Sequence, residues 1–191
     1  MEFYKKVAII GEGGVGKTTL LHRYMNGKFN RQMDMTVGVE FFTKRFVMDQ
    51  TVGSLLIWDL GGQELFKPMM SGYLSGSEGV ILVYDLSRLI TLVKLHNWIE
   101  LVRKANVPLD GSVPILLVGC KKDLIDEEMD EMKEQRKEYI EEICAECNVM
   151  KYIETSALRD ENISLPFDYL MEYYISRHKQ GQKICVEAET V

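Results

Sequence analysis

The stretch "KKVAIIGEGGVGKTTL", residues 5–20, decides the fold class of this chain. Residues 5–10 form a short apolar run that predicts a buried strand, and an amphipathic helix pattern begins near Lys17. Between them, Gly11 to Thr18 has the spacing Gly, four residues, Gly-Lys and Thr of the phosphate-binding P-loop. The glycines let the backbone N–H groups point inward, and the helix adds its positive end. The sequence therefore predicts a strand–loop–helix unit that binds phosphate.

The P-loop also assigns roles to two side chains. Lys17 would reach the terminal phosphates of a nucleotide, and the Thr18 hydroxyl would bind Mg²⁺. The alternative is a glycine-rich turn that binds nothing, which the flanking strand and helix patterns disfavour. The motif alone does not choose between adenine and guanine. The nucleotide-binding residues predicted in this loop are Gly11, Glu12, Gly13, Gly14, Val15, Gly16, Lys17, Thr18 and Thr19.

Strand and helix patterns alternate along the rest of the chain, which predicts an α/β fold with a doubly wound sheet. One exception is 39–58, where two strand patterns are separated only by "DQTVG" and indicate an antiparallel hairpin at one edge. We expect a P-loop NTPase with a six-stranded, mostly parallel sheet and helices on both faces. The predicted strands are 5–10, 39–48, 54–60, 79–86, 114–119 and 150–155, and the predicted helices are 17–26, 89–105, 130–147 and 164–179.

Length and composition exclude several classes of protein. The 191 residues, 46% of them apolar, suit one domain with a full core. A net charge of −6 argues against nucleic-acid binding. No apolar run approaches the roughly 18 residues that a membrane span requires. The four cysteines are sparse, which indicates reduced thiols and a cytoplasmic location.

A second motif, "LLIWDLGGQE", ends an apolar strand pattern on a carboxylate. Asp59 at a strand end next to the P-loop strand can hold Mg²⁺ from the other side. Gly62 can bring its N–H to a terminal phosphate, and the Gln63 amide can orient a water for in-line attack. Taken alone, Asp-x-Gly-Gly is an ordinary turn; after a P-loop it predicts a sensor of Mg²⁺ and phosphate.

Together with "MDMTVGVEF", "KKD" at 121–123 and "ETSAL" at 154–158, these motifs stand in the order and spacing of Ras-superfamily small GTPases. The chain resembles that family over residues 5–177 and is most similar to the Rab branch, although its Gly61-Gly62 pair is closer to Arf-type sequences. The resemblance implies that Thr36 in switch I closes on Mg²⁺ and the terminal phosphate. It also implies that Phe29 lies beside the base and that residues 60–74 form switch II.

The resemblance implies partners as well. Effectors, an exchange factor and a GTPase-activating protein would bind through the switch regions, and Gly13 leaves room for an arginine from a partner. Phe41, Trp58 and Tyr73 match the aromatic triad that effectors of Rab-like proteins contact. Ordinary core and hairpin packing is the alternative for these rings. Met69 and Met70 could form a pliable apolar surface that accepts partners, and the alternative for them is that they cover the sheet edge.

Base recognition is predicted at "CKKD", residues 120–123, where the family has Asn-Lys-x-Asp. One carboxylate, Asp123, can accept from the N1–H and the amine of guanine together, a distinction worth about 10⁴-fold in selectivity. By resemblance, Lys121 lays its stem along the base. The remaining predicted contacts are backbone N–H groups of the "ETSAL" loop that meet the guanine oxygen, at Ser156, Ala157 and Leu158.

Cys120 departs from the family asparagine, which bonds the ring nitrogen and ties this loop to the P-loop. A thiol is a weak donor and cannot do both. Losing one neutral hydrogen bond costs about 0.5–1.5 kcal/mol, so we expect binding about 2- to 10-fold weaker and faster nucleotide release. A further hypothesis is that oxidation of Cys120 speeds release, against the alternative of a buried, inert thiol.

The chain divides into a predicted G domain, 1–179, and a flexible polar tail, 180–191. Cys185 in "KICVEAETV" stands too far inside for a C-terminal prenylation motif, and residue 2 is not glycine. We therefore expect a monomer without a direct lipid anchor, cytoplasmic or brought to membranes by a partner.

The sequence thus predicts a Mg²⁺-dependent switch that binds GTP or GDP and hydrolyses GTP slowly with Gln63 and Lys17, in trafficking or signalling. Two alternatives remain open. One is a scaffold that binds guanine nucleotide without cycling, which Cys120 favours. The other is an ATP-using P-loop enzyme, which Asp123 opposes.

Overall fold

The computed structural model describes residues 2–31, 34–48, 51–63 and 67–188. In these ranges the chain forms one sheet with helices on both sides. The strands are β1 Glu2–Ile10, β2 Val39–Met48, β3 Thr51–Leu60, β4 Gly79–Asp85, β5 Ile115–Cys120 and β6 Lys151–Glu154. The helices are α1 Lys17–Asn26, α2 Lys67–Leu74, α3 Leu89–Val93, α4 Leu95–Lys104, α5 Asp130–Cys147 and α6 Leu165–Ala188.

The six strands lie in the order β2-β3-β1-β4-β5-β6. All neighbouring pairs are parallel except β2 and β3, which pair antiparallel with Glu40 opposite Asp59. The predicted mostly parallel sheet with one antiparallel edge strand is therefore confirmed. The strand order reverses beside β1, and in open α/β sheets ligands bind at the carboxyl ends of the strands at such a point.

Alternate residues of each parallel strand pack into separate cores. Ala8 and Ile10 of β1 belong to a core that contains Trp98 of α4 and Ile143 of α5. Val7 and Ile9, on the opposite face, belong to a core with Leu20 of α1 and Phe167 and Leu170 of α6. Both faces of the sheet are thus covered by helices, as predicted, and the central strands are buried on both sides.

Several elements differ from the sequence predictions. The helix predicted over 89–105 is two helices, α3 and α4, divided at Lys94. The sequence did not predict helix α2 or the 3₁₀ helix Lys122–Leu124. In α2 the second residue is proline, and glycine stands at position 72, so its eight residues lack a clear helical period. Its buried apolar contacts are Met70 and Leu74, one helical turn apart.

Helix α6 continues to Ala188, into the segment that the sequence analysis assigns to a flexible tail. The division into a G domain and a tail stays a prediction, and residues 189–191 lie outside the described ranges. Of the helices in those ranges, none is long and apolar enough to cross a membrane.

Candidate functional site

A cavity of about 380 Å³ lies at the edge where β1 and β5 end. It is lined by the P-loop, the loop after α1, the segment after β3 and the loops after β5 and β6. Most of the predicted site residues meet there. They are Gly13, Gly14, Gly16, Lys17, Thr18, Thr19, Phe29, Thr36, Gly62, Gln63, Cys120, Lys121, Asp123, Ala157 and Leu158.

The P-loop turns at Gly16, whose φ of 111° lies where glycine is favoured, and α1 begins at the next residue. Lys17 is buried, and its Nζ donates to the carbonyl oxygens of Gly11 at 2.7 Å and Glu12 at 2.8 Å. Burial lowers the pKa of Lys17 to about 8, although the negative charges of Asp59 and Glu12 oppose that shift. The ammonium is therefore fixed under the loop, where it can meet phosphate oxygens.

Three oxygen-bearing side chains meet beside Lys17. Thr18 Oγ1 donates to Asp59 Oδ2 at 2.5 Å and shares a hydrogen bond of 2.5 Å with Thr36 Oγ1. Within the described part of the chain, the buried Asp59 Oδ1 has no hydrogen-bond partner. Burial raises the pKa of Asp59, while the Thr18 hydrogen bond and the Lys17 charge lower it. Hard oxygen donors around an unsatisfied carboxylate oxygen fit Mg²⁺.

The loop after β5 presents Asp123 to the cavity. Ser156 Oγ donates to Asp123 Oδ1 at 2.5 Å and in turn accepts the Arg159 backbone N–H at 3.1 Å. Ser156 itself is buried and holds the carboxylate in place. Lys121 Nζ donates to the carbonyl oxygen of Gly14 at 2.8 Å, which joins this loop to the P-loop.

Comparison with known proteins decides the family. The family model described as "Ras family" matches residues 6–176. This chain belongs to the Ras family. Ras-related protein Rab-7b of Homo sapiens is 35% identical over 174 residues, 91% of this chain and 84% of that protein. Ras-related protein RABG3b of Arabidopsis thaliana is 37% identical over 163 residues, 85% of this chain and 79% of that protein.

The predicted family is thereby confirmed, close to the Rab branch. Ras-family small GTPases bind GTP and GDP and hydrolyse GTP, so this chain is a GTP-binding GTPase. The P-loop NTPase fold described above is the G domain of that family. The roles of single residues in this GTPase remain predictions.

Some predicted residues of this Ras-family GTPase lie outside the cavity lining. They are Gly11, Glu12, Val15, Asp59 and Ser156. The Glu12 side chain instead accepts from Trp98 Nε1 at 3.0 Å and Lys94 Nζ at 3.3 Å, which joins the P-loop to α4 and to the residue before it. Val15 is buried in the core on the α1 side of the sheet. A role for these P-loop residues through their backbone N–H groups stays a prediction.

The predicted switch II comes very close to the P-loop at Gly62. A Cβ on Gly62 would lie 2.3 Å from the Glu12 carbonyl carbon and from the Gly13 nitrogen. Only glycine fits there without a shift of backbone. Gln63 follows at the cavity wall, while Glu64, Leu65 and Phe66 of the predicted switch II lie outside the described residues.

Cys120 is buried at the start of residues 120–123, the segment of predicted base recognition, which we call the base loop. Its Sγ accepts a long hydrogen bond from Thr155 Oγ1 at 3.5 Å, and its Cβ would lie 3.3 Å from a Cβ placed on Gly16. Burial raises the pKa of the thiol to about 11, against a smaller opposite effect of the Thr155 hydrogen bond. A neutral, buried thiol favours the inert alternative over oxidation.

Sequence reasoning missed several residues of the cavity wall. They are Leu20, Asn30, Arg31, Asp34, Met35, Leu124 and Thr155. Leu124 follows the predicted "KKD" and Thr155 precedes the predicted Ser156, so the adjoining motifs could have indicated both residues. Four further wall residues, Asn30, Arg31, Asp34 and Met35, lie outside the helices and strands, in a stretch of sequence without periodicity that does not show which side chains face inward.

Proposed function

We propose that this GTPase is a Mg²⁺-dependent switch that hydrolyses GTP slowly on its own and recruits effectors through switch I and switch II. The observation that carries the proposal is the contact of Thr18, Thr36 and Asp59. It joins the P-loop, switch I and the end of β3 at one point. A switch needs such a junction, because loss of a ligand there releases both segments.

In this mechanism the chain works mainly by positioning and by neutralising charge. Lys17 would contact the terminal phosphates, and Gln63 would orient the attacking water. Thr18, Thr36 and Asp59 would hold Mg²⁺, which would neutralise charge on the phosphate oxygens. The two switch segments would relax when the terminal phosphate leaves.

A partner's arginine would accelerate the slow intrinsic turnover, and Gly13, which carries no side chain, would leave room for it. A Cβ on Gly13 would lie 3.6 Å from the Gly62 carbonyl oxygen and from Met35 Cε, which is ordinary contact. Met35 is exposed and unbranched, so it can yield to an entering side chain. An arginine finger in this class of enzyme raises the rate by about 10³- to 10⁵-fold.

The aromatic triad supports effector binding. Phe41 is 61% exposed, and its ring packs edge-on against Trp58 with centroids 4.7 Å apart. Tyr73 of α2 lies 6.2 Å from the Trp58 ring, and Lys6 Nζ stands 3.8 Å over it. Met69 is exposed beside this surface, whereas Met70 is buried in the core. A surface that combines Tyr73 of switch II with Phe41 of β2 and Trp58 of β3 would report the state of the nucleotide.

The test is to purify the chain, extract and identify its nucleotide, and follow phosphate release from GTP with Mg²⁺ and with EDTA. We expect guanine nucleotide and Mg²⁺-dependent turnover on the order of 10⁻³ s⁻¹ or slower. Retained guanine nucleotide without turnover would favour the second candidate, a non-cycling scaffold, which the weak Cys120 contact supports. Bound adenine nucleotide would contradict both.

The relatives Rab-7b and RABG3b are Ras-related proteins, and we propose a role in intracellular trafficking or signalling. The protein would act as a cytoplasmic monomer, and a partner would bring it to membranes. An exchange factor and a GTPase-activating protein would act at the same switch segments. Recruitment to membranes can be tested by cell fractionation. The fraction of the protein that sediments with membranes would be compared in cells with and without overproduced effector domains.

A further inference from the structure

The carbonyl oxygen of Gly14 in the P-loop accepts hydrogen bonds from two cationic side chains. Lys121 Nζ lies at 2.8 Å and Arg88 Nη2 at 3.1 Å. Both side chains also bind one oxygen of Asp85, Lys121 at 2.7 Å and Arg88 Nε at 2.8 Å. These four residues form a closed ring that links the P-loop, the end of β4 and the end of β5.

Asp85 anchors this ring. Its side chain is 1% exposed, and its second carboxylate oxygen accepts from the Ser87 N–H at 2.9 Å and the Ser87 hydroxyl at 2.6 Å. The Asp85 backbone N–H is fixed by Thr91 Oγ1 at 3.0 Å. Although burial opposes ionisation, hydrogen bonds from Lys121, Ser87 and Arg88 hold the pKa of Asp85 below its ordinary value. The anchor is therefore charged and rigid at neutral pH.

A link of this kind is needed because of Cys120. Its hydrogen bond is with Thr155, on the β6 side, and towards the P-loop its side chain faces Gly16, where an added Cβ would lie 3.6 Å from the Cys120 Sγ. A thiol at this position cannot supply a strong polar link between the two loops. The closed ring supplies that link one residue further on, at Lys121.

We propose that Arg88 is a positioning residue that holds the P-loop and the base loop together and compensates for the cysteine at position 120. The inference rests on the proposed base-binding role of residues 120–123. Arg88 suits this role because a guanidinium presents several donors in a fixed plane and can bind Asp85 and Gly14 at once. Lysine at position 88 would present its three N–H donors on one nitrogen, whereas Arg88 contacts Asp85 and Gly14 with two separate nitrogens, Nε and Nη2.

The experiment is a double-mutant cycle on the dissociation of fluorescent GDP from the full chain with Mg²⁺. The four proteins are wild type, Arg88→Ala, Cys120→Asn and the double variant. We expect Arg88→Ala to speed release about three- to tenfold in the wild-type background. In the Cys120→Asn background, where asparagine restores a polar link, we expect less than about a twofold effect.

Arg103→Ala is the matched control, because Arg103 is 42% exposed against 46% for Arg88 and also binds two partners, Glu100 and Glu146. It lies in α4, away from the nucleotide loops, and its loss should leave the release rate unchanged. Arg88→Lys keeps the charge but carries its donors on one nitrogen, and it should give an intermediate rate. The lysine variant also provides the test of the inference if Arg88→Ala fails to fold.

Equal acceleration by Arg88→Ala in both backgrounds would overturn the inference, since the two positions would then act independently. An unchanged release rate in the wild-type background would overturn it as well, and a lowered Tm without faster release would show that Arg88 only stabilises the fold. Failure of the wild type to bind GDP at all would contradict the proposed function itself and remove the basis of the inference.

Discussion

The backbone N–H of Gly61 donates to the carbonyl oxygen of Gly38 at 2.8 Å and joins the start of switch II to switch I. A Cβ on Gly61 would lie 2.5 Å from the Thr36 carbonyl oxygen and 3.0 Å from that of Gly38. The glycine therefore permits the approach that brings Thr36 to Thr18. Gly61 and Gly62 have different reasons to be glycine, because one faces switch I and the other the P-loop.

We predict that Gly61→Ala moves switch I away from the P-loop. The variant should hydrolyse GTP more slowly and lose about 1–3 kcal/mol of unfolding free energy, because the methyl group meets backbone atoms that cannot rotate away. Urea unfolding and single-turnover hydrolysis measure the two effects. The control for stability is Gly72→Ala in α2, where an added Cβ meets no atom within 4 Å. It should stabilise the helix by about 0.5–1 kcal/mol. Wild-type stability and rate in Gly61→Ala would contradict the role assigned to this contact.

We predict that Gln63→Leu slows hydrolysis by about tenfold or more, a barrier increase of about 1.4 kcal/mol, with GTP affinity nearly unchanged. The amide lies at the cavity wall, where it can orient water, and leucine keeps the volume without the polar groups. Single-turnover hydrolysis and GTP binding should be measured on the same preparation. Hydrolysis at the wild-type rate would remove Gln63 from the mechanism.

We predict that Cys120→Asn slows GDP release by about 2- to 10-fold, because asparagine can supply the hydrogen bonds that the thiol lacks. Dissociation of fluorescent GDP measures the effect. Cys120→Ser, which keeps the size with a better donor, should lie between the two. Faster release from the asparagine variant would show that the cysteine does not weaken the site.

We predict that the Cys120 thiol is inert near neutral pH. With a pKa of about 11, its thiolate fraction at pH 8 is on the order of 10⁻³ and rises about tenfold per pH unit below that pKa. Alkylation followed by mass spectrometry should leave Cys120 unmodified at pH 8, and mild peroxide should not change GDP release. Rapid alkylation, or peroxide-accelerated release that is absent in Cys120→Ser, would support the redox hypothesis instead.

The sequence predicted most of this fold because its long elements carry clear periods. The bounds of β2, α1 and α5 match the predicted ranges. Each of these segments has an alternating or amphipathic pattern of apolar residues, or ends at a residue that marks an element boundary. Helix α2 escaped prediction because tertiary contacts through Met70, more than local propensity, hold its proline- and glycine-containing stretch in place.

The contiguous motifs located most of the site for a similar reason, because the P-loop and base loop act largely through adjacent residues. Arg88 and Asp85 escaped notice because their partners, Gly14 and Lys121, are distant in sequence. The stretch "DLSR" that contains them has no spacing that marks a site. Only the parallel arrangement of β1, β4 and β5 brings these loops together.

The Asp123 carboxylate is proposed to select guanine, while the P-loop binds the phosphates of the same nucleotide. Competition of GDP, IDP and ADP against fluorescent GDP, in wild type and in Asp123→Ala, tests it most directly, because inosine lacks the amine and adenine lacks both donors. We expect GDP to compete best, IDP less well and ADP at least about 10³-fold worse, and we expect Asp123→Ala to remove most of these differences. Equal competition by ADP and GDP in the wild type would contradict it.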